Sequence, residues 1–178
     1  MISIRDKVFT PYISQDKILK AVKVIAEKIT ADLQGKNPLF IGILNGSFIF
    51  AADLLRELPY PCEIAFIKVG SYEGMESTGK VSLQNDFTAP VTGRAVVIVE
   101  DIVDSGLTIA FLRGFFEERG AAEVKVASLL FKPGALRTGA PPDYSGFEIR
   151  NEFVIGYGLD YDGIGRNLKD IHILAEVK

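Results

Sequence analysis

The sequence predicts an α/β fold: a twisted, mainly parallel sheet flanked by helices, with a small flap built from the terminal segments. Three observations carry this. Stretches such as Ala95–Val99 are wholly apolar and mostly β-branched, which suits a strand buried on both faces of a parallel sheet. Such stretches alternate with segments of helical apolar period. The chain of 178 residues, 48% of them hydrophobic, is long enough to bury one proper core. We expect one domain over 1–178, with a core from about 36 to 135 and a hood from about 1–13 and 140–178.

Taken in order, Ser14 is placed to cap a helix that runs to about Leu33, with Ile18, Ala21, Val22, Ile25, Ala26 and Ile29 on one face. Gly35 ends it, and Pro38–Leu44 follows as a short buried strand. Asn45-Gly46-Ser47 turns the chain into a second helix, Phe48 to about Leu58, closed by Pro59 and Pro61. Cys62–Ser71 alternates loosely and reads as a strand. Glu73–Lys80 has few large apolar anchors and is expected to be a mobile loop, after which Val81–Asp86 resumes as a strand. Beyond Ala95–Val99, Thr108–Arg119 is helical and stopped by Gly120, and Val124–Phe131 is the next buried strand. A proline- and glycine-rich connection, Pro133–Pro142, leads to two last strands, about Glu152–Tyr157 and Ile171–Val177, which would form the flap.

The composition narrows the function classes. A net charge of −3, with Lys and Arg scattered along the chain, argues against a nucleic-acid binder, although backbone amides and a metal ion hold phosphate without any basic surplus. No apolar run approaches the ~20 residues of a membrane span. Met1–Asp6 lacks a signal-peptide pattern, so a cytoplasmic location is expected. The single cysteine, Cys62, excludes an intramolecular disulfide or a multi-cysteine zinc site and is expected to be a small buried residue. His172, the only histidine, lies in a predicted strand without a Cys or Ser partner nearby and is expected to be structural. Gly156-x-Gly158 and Gly163-x-Gly165 do not have dinucleotide-fingerprint spacing, and no GxxxxGK[ST] phosphate loop is present.

The chemistry concentrates in Val96–Thr108, VVIVEDIVDSGLT. Ligands of open parallel sheets bind outside the carboxyl ends of the strands, and here the most buried strand runs directly into Glu100-Asp101. Asp104-Ser105-Gly106-Leu107-Thr108 then leads into a helix, so small residues and hydroxyls precede a helix N-terminus, an anion cradle of backbone N–H groups and helix dipole. Carboxylates beside such a cradle make sense if they face sugar hydroxyls, a divalent cation or a group that loses a proton. As ordinary capping or solvated charges, three acids at the end of an apolar strand would be an unusual cluster.

This segment resembles the diphosphate-sugar signature of type I phosphoribosyltransferases: four apolar residues, two acids, two apolar residues, then Asp-Ser/Thr-Gly-x-Thr. The Glu-Asp pair and the flanking sequences are similar to the hypoxanthine-guanine branch, over nearly the whole chain from the first helix to Arg166. The resemblance implies the type I phosphoribosyltransferase fold and transfer of a 5-phosphoribosyl group from phosphoribosyl pyrophosphate (PRPP) to a 6-oxopurine, with Mg²⁺ as cofactor. It implies that Glu100 and Asp101 hold the ribose hydroxyls directly or through Mg²⁺, and that Asp104 is general base or acid at purine N7. Asp104, Ser105, Gly106, Leu107 and Thr108 would wrap the 5′-phosphate; Leu107 stands where several relatives carry lysine. Leu44-Asn45-Gly46-Ser47 matches the pyrophosphate loop, with a cis Leu44–Asn45 peptide, and Arg166 matches an arginine on pyrophosphate. Ser71-Tyr72 starts the loop that closes over the site. Lys132 matches the lysine at the purine 6-oxo group, Phe153 would stack on the base, the Val154 backbone would read its edge, and Asp160 would bind a second Mg²⁺ through water, with its backbone also near the base. The stretch Pro133–Pro142 departs most from relatives, at the pocket rim or a subunit contact. The resemblance also implies a homodimer or homotetramer. Three alternatives remain: a regulator that binds the sugar diphosphate on the same fold, a transferase for another base such as xanthine, and an unrelated α/β nucleotide-binding enzyme. The first would add a DNA-binding domain or a basic face, neither of which this sequence shows.

Overall fold

The computed structural model of the chain describes residues 1–71 and 81–175. Its central sheet has six strands: β3 (Leu39–Leu44), β4 (Glu63–Ser71), β5 (Val81–Leu83), β6 (Ala95–Val103), β7 (Glu123–Phe131) and β8 (Tyr144–Glu148). They lie in the order β5-β4-β3-β6-β7-β8, and every pairing is parallel except β4 with β5. A second sheet, the hood, joins β1 (Ile2–Ile4), β2 (Lys7–Ile13), β10 (Ile171–Leu174) and β9 (Val154–Ile155), all antiparallel. Three α-helices complete the described residues: α1 (Gln15–Leu33), α2 (Phe48–Arg56) and α3 (Leu107–Glu117).

The central strand shows why the sheet is sandwiched. Alternate side chains of β6 point to opposite faces, so Val97 and Val99 pack under α1 and α2 with Ile18, Ile25 and Phe50. Val96 and Ile98 pack on the other face with Ile109, Leu112 and Phe116 of α3. Both faces being covered, a continuous apolar run is the only pattern that leaves no polar side chain stranded. The hood has a small cluster of its own, Ile4, Phe9 and Ile155, while Val154, Tyr157, Leu159 and Ile171 reach down into the core beneath α1 and α2.

Several expectations need correction. β1, β2 and β8 are strands that the sequence reading leaves out, and β8 belongs to the central sheet although 140–178 was expected to supply the hood. β5 stops at Leu83 rather than Asp86, because the Asn85 side chain takes over the ladder: its Oδ1 accepts the Lys68 N–H at 2.6 Å. β9 is only two residues long because Gly156 enters a turn at φ +97°. The last strand ends at Leu174 rather than Val177. The second helix ends at Arg56 rather than Leu58. Cys62 is half-buried rather than buried, with its thiol pushed up by burial. His172 is buried in β10, its Nδ1 3.1 Å from the Asp170 carbonyl. No helix among the described residues is long and apolar enough to cross a membrane.

Ser14 does precede α1, but its side chain makes no capping bond. The Asp170 carboxylate, from just before β10, accepts the Gln15 N–H at 2.7 Å instead. A carboxylate there satisfies an orphan donor and complements the positive end of the helix dipole. Asp170→Ala is therefore expected to lower unfolding free energy by about 0.5–2 kcal/mol, the usual loss for a cap. Ser14→Ala should change it by much less; urea denaturation of the two variants checks the order.

Candidate active site

The carboxyl ends of β3, β6 and β7 open on one side of the sheet, and the chemistry-bearing residues gather there. Glu100 is only 8% exposed and Asp101 half-buried. The Asp101 N–H donates to Glu100 Oε1 at 3.2 Å, and the Ile102 N–H to Asp101 Oδ1 at 3.0 Å. Burial first, and then the adjacent charge of Asp101, push the Glu100 carboxyl well above the usual carboxylate range.

Beyond the acid pair the chain forms a cavity of about 100 Å³ lined by Glu100, Val103, Asp104, Ser105, Gly106 and Thr108. Gly106 adopts φ +80°, and a Cβ there would collide with the Thr138 carbonyl, so the turn into α3 requires glycine. The helix ladder starts with the Ala110 N–H donating to the Gly106 carbonyl at 2.9 Å, so the N–H groups of the first turn, next to the cavity that Gly106 and Thr108 line, have no intrahelical partner; that of Leu107 lies 3.5 Å from Ser105 Oγ. Leu107, at the first helical position, is 45% exposed. The Ser105 carbonyl accepts the N–H groups of Arg137 (3.0 Å) and Thr138 (3.2 Å). The unusual 133–142 stretch thus braces the loop from outside, after a 3-10 turn at Pro133–Ala135.

Across from the acids, β3 ends in Leu44–Asn45, whose peptide is cis. The next residue, Gly46, lies so close to Asp101 that a Cβ would overlap its carboxylate. Ser47 is fully buried and its Oγ donates back to the Ile43 carbonyl at 2.6 Å, which ties the loop to its own strand. Gly158 of the hood, at φ +103°, presses against the Gly46 carbonyl from the other side.

Lys132 follows β7, its backbone N–H donating to the Val103 carbonyl at 2.9 Å. Its side chain is almost buried, and its Nζ lies 3.1 Å from Asp104 Oδ2. In the hood, Val154 is buried while the Phe153 ring is 43% exposed, packed edge-on against Tyr161 with centroids 5.8 Å apart. The Lys7 ammonium sits 4.7 Å from the Tyr161 ring centre and 5.4 Å from that of Phe153. The sequence reading misses both neighbours; Lys7 lies on an unexpected strand, and Tyr161 was overlooked beside Asp160. Asp160 Oδ1 is 2.7 Å from Arg166 Nη2, its Oδ2 accepts the Gly163 N–H at 2.6 Å, and Arg166 Nη1 donates to the Gly158 carbonyl at 2.7 Å. Ser71 closes β4; Tyr72 lies outside the described residues. The structure therefore links Glu100 with Asp101, Asp104 with Lys132, and Asp160 with Arg166, and it brings Gly46 between Asp101 and the hood.

Among the described residues no three His, Cys, Asp or Glu side chains converge as a ready metal cage. The adjacent Glu100 and Asp101 carboxylates nevertheless suit a hard cation of the Mg²⁺ kind, which takes one or two carboxylates and completes its shell with water and phosphate oxygens. A cation there would also offset the like-charge contact that holds up the Glu100 carboxyl.

A parallel sheet with an acid pair and a glycine-turned anion loop at its carboxyl edge defines a phosphate-sugar-binding class of α/β protein. Residues 12–162 match the family model of the phosphoribosyl transferase domain, and the chain belongs to that family. The sequence is 44% identical over 165 residues to the hypoxanthine-guanine phosphoribosyltransferase of Streptococcus pneumoniae, a match covering 92% of each chain. It is 44% identical over 163 residues to the enzyme of that name from Lactococcus lactis, covering 91% of this chain and 88% of the other. A crystal structure of a hypoxanthine-guanine phosphoribosyltransferase from Bacillus anthracis superposes with a TM-score of 0.88 at 37% identity, over 96% of this chain and 99% of that one.

The raised Glu100 carboxyl has a sign that can be checked. Its proton is held more tightly folded than unfolded, so its stabilising share is full at pH below the unfolded value of 4.5 and is lost as pH rises toward the folded one. Glu100→Gln, without ligand, should be more stable than the parent at pH 8, with the gap closing toward pH 5 (about half a unit above the unfolded value). Urea midpoints at the two pH values test this, and a gap that widened toward acid would contradict the assigned cause.

Proposed function

We propose that this chain transfers the 5-phosphoribosyl group from PRPP to hypoxanthine or guanine, giving IMP or GMP and pyrophosphate, a purine-salvage reaction. The observation that carries this reading is the Lys132–Asp104 pair, 3.1 Å apart and next to the phosphate loop. On a 6-oxopurine, O6 and N7 lie side by side on one edge. An ammonium adjacent to a carboxylate matches that edge: Lys132 donates to O6, while Asp104 accepts the N7 proton. Adenine presents an amino group at position 6, whose donors would face the ammonium, so the same pair disfavours it.

In this reading Ser105, Gly106, Leu107 and Thr108 hold the 5′-phosphate on the backbone amides at the start of α3, with Asp104 at the head of the loop. Glu100 and Asp101 orient the ribose hydroxyls. Asn45 and Gly46, following Leu44, and Arg166 bind the pyrophosphate. Phe153 stacks on the base and the Val154 backbone reads its edge. The C1′–O bond to pyrophosphate breaks, the C1′–N9 bond forms, and the N7 proton passes to Asp104. Mg²⁺, held by Glu100 and Asp101 with a second ion near Asp160, would neutralise charge on the pyrophosphate. Asp160 would have to share its carboxylate between that role and Arg166. The protein's own contribution is alignment and charge placement, without a covalent intermediate. The family resemblance further supports a homodimer or homotetramer acting in the cytoplasm.

Incubation with PRPP, Mg²⁺ and each of hypoxanthine, guanine, xanthine, adenine and uracil should yield nucleotide with hypoxanthine or guanine and little with adenine or uracil. Absence of product with every 6-oxopurine would sink the reading. Asp104→Asn should lower kcat by roughly 10²–10⁴, the usual worth of a general base, while PRPP binding measured by calorimetry falls far less; matched losses would reduce Asp104 to a loop-shaping role. Lys132→Met should cost affinity for hypoxanthine and narrow its advantage over adenine, as competition assays would record.

A further inference from the structure

Tyr157 stands out among the hood residues because its backbone and its side chain make opposite demands. Residues 156–159 form a tight turn closed by the Gly156–Leu159 bridge, with Tyr157 at φ +50° and Gly158 at φ +103°. Positive φ at both central positions is the pattern of a primed hairpin turn, which favours Asn, Asp or Gly at the first of them. The neighbouring turn obeys that preference, with Asp162 at φ +51° and Gly163 at φ +80°. A bulky aromatic residue in the left-handed region is disfavoured locally and persists where surrounding contacts over-determine it. Here the surroundings are specific. Tyr157 is 2% exposed, and its hydroxyl donates to Asp53 Oδ2 at 2.6 Å, across 104 residues of sequence.

Asp53 lies in α2, the helix that begins two residues after Gly46. Gly158, the residue after Tyr157, presses on the Gly46 carbonyl and exchanges two backbone-side bonds with Arg166: its N–H donates to the Arg166 carbonyl at 2.9 Å, and its carbonyl accepts from Arg166 Nη1. Arg166 in turn holds Asp160. One hydroxyl therefore fixes the hood turn relative to the helix that carries the pyrophosphate loop. The base-side residues Phe153 and Val154 precede the turn and are held separately: the Phe153 carbonyl accepts from the Leu174 N–H at 3.0 Å, and Val154 pairs with Ile173.

We propose that Tyr157, through Asp53, is a positioning residue for the pyrophosphate half of the site: it sets Gly158 and Arg166 against Gly46 and leaves the purine half largely untouched. The proposal rests on the functional reading above. It separates from a purely structural role because a bond that only stabilised the fold would lower the melting temperature without discriminating between substrates.

Tyr157→Phe deletes the hydroxyl alone. Steady-state assays well below the melting temperature should show KM for PRPP and the inhibition constant of pyrophosphate raised about five- to tenfold, the factor expected for one lost hydrogen bond. KM for hypoxanthine should stay within about twofold, as expected for a half of the site that keeps its own bonds. Asp53→Asn retains an acceptor oxygen and should restore near-parental PRPP kinetics, whereas Asp53→Ala should behave as Tyr157→Phe does and serves as the deciding variant if Tyr157→Phe does not fold. A lowered melting temperature with both KM values unchanged, or an equal rise in both, would overturn the proposal. Failure of the unmodified protein to make nucleotide from PRPP and hypoxanthine would instead bring down the functional reading itself.

Discussion

At Gly46 three segments of the chain come within atomic contact, and no side chain fits between them. The Asp101 carboxylate from the end of β6 lies where a Cβ would be, and Gly158 of the hood closes on the Gly46 carbonyl. This close approach decides much of the rest. It requires β3 and β6 to be adjacent parallel neighbours with ends in step, which the pairing of Leu39–Gly42 with Val96–Val99 provides. It requires the hood to reach over the sheet edge, which it does through residues that belong to the main core, Val154, Tyr157, Leu159 and Ile171. It also carries the phosphate-side and pyrophosphate-side loops into one compact site, which a larger residue at position 46 would force apart.

The charges show the same economy. With a net charge of −3 the chain cannot attract a polyanionic substrate through its overall field, so local pairs must do it. Two cations of the site are already engaged with carboxylates, Lys132 with Asp104 and Arg166 with Asp160. A paired, partly buried cation is held in position at little further entropic cost, yet it keeps donors free, because an ammonium or guanidinium has more N–H groups than one carboxylate uses. Glu100 is the exception. It is buried beside a like charge, and among the described residues no Lys or Arg forms an ion pair with it, so its carboxyl is the one that the site holds up.

How much of this can be read in the sequence follows from how local its causes are. The parallel strands β3, β6 and β7 are legible because a strand buried on both faces has to be written as an apolar run; in β6 that run breaks at Glu100 and Asp101, although the strand itself continues to Val103. β2 is hidden because Pro11 falls inside it and because Val8 and Tyr12 are apolar residues on its exposed positions, which blurs the alternation, and β8 because it is a short edge strand containing Gly146. The capping of α1 by Asp170 and the Tyr157–Asp53 bond span 155 and 104 residues of sequence, and neither end announces the other. For the site, Glu100, Asp101, Asp104, Ser105 and Gly106 are legible as chemistry from their spacing alone. Lys132, Phe153 and Asp160 stand out only by resemblance, since a lysine after a strand and a phenylalanine in a hood look like ordinary surface and core residues.

The division between the two kinds of residue also explains what separates this chain from others with the same phosphate loop. The loop at the start of α3 is built by one stretch of sequence and braced from outside by Arg137 and Thr138, so in the proposed reading it makes no demand on the acceptor base. The residues proposed to hold the purine come from the end of β7 on one side and from the hood on the other, which lie in different sheets. Among the described residues the hood's private cluster has three buried side chains, too few to hold its shape without the core. Its placement therefore depends on the bonds that cross to α1 and α2 and on the seat that Gly46 offers. A ligand that touches both walls adds one more such link, so substrate binding and hood placement are thermodynamically coupled, each stabilising the other by the same amount. In the proposed reading the choice of base is thus a property of the junction between two sheets, tuned in part by residues that do not touch the base.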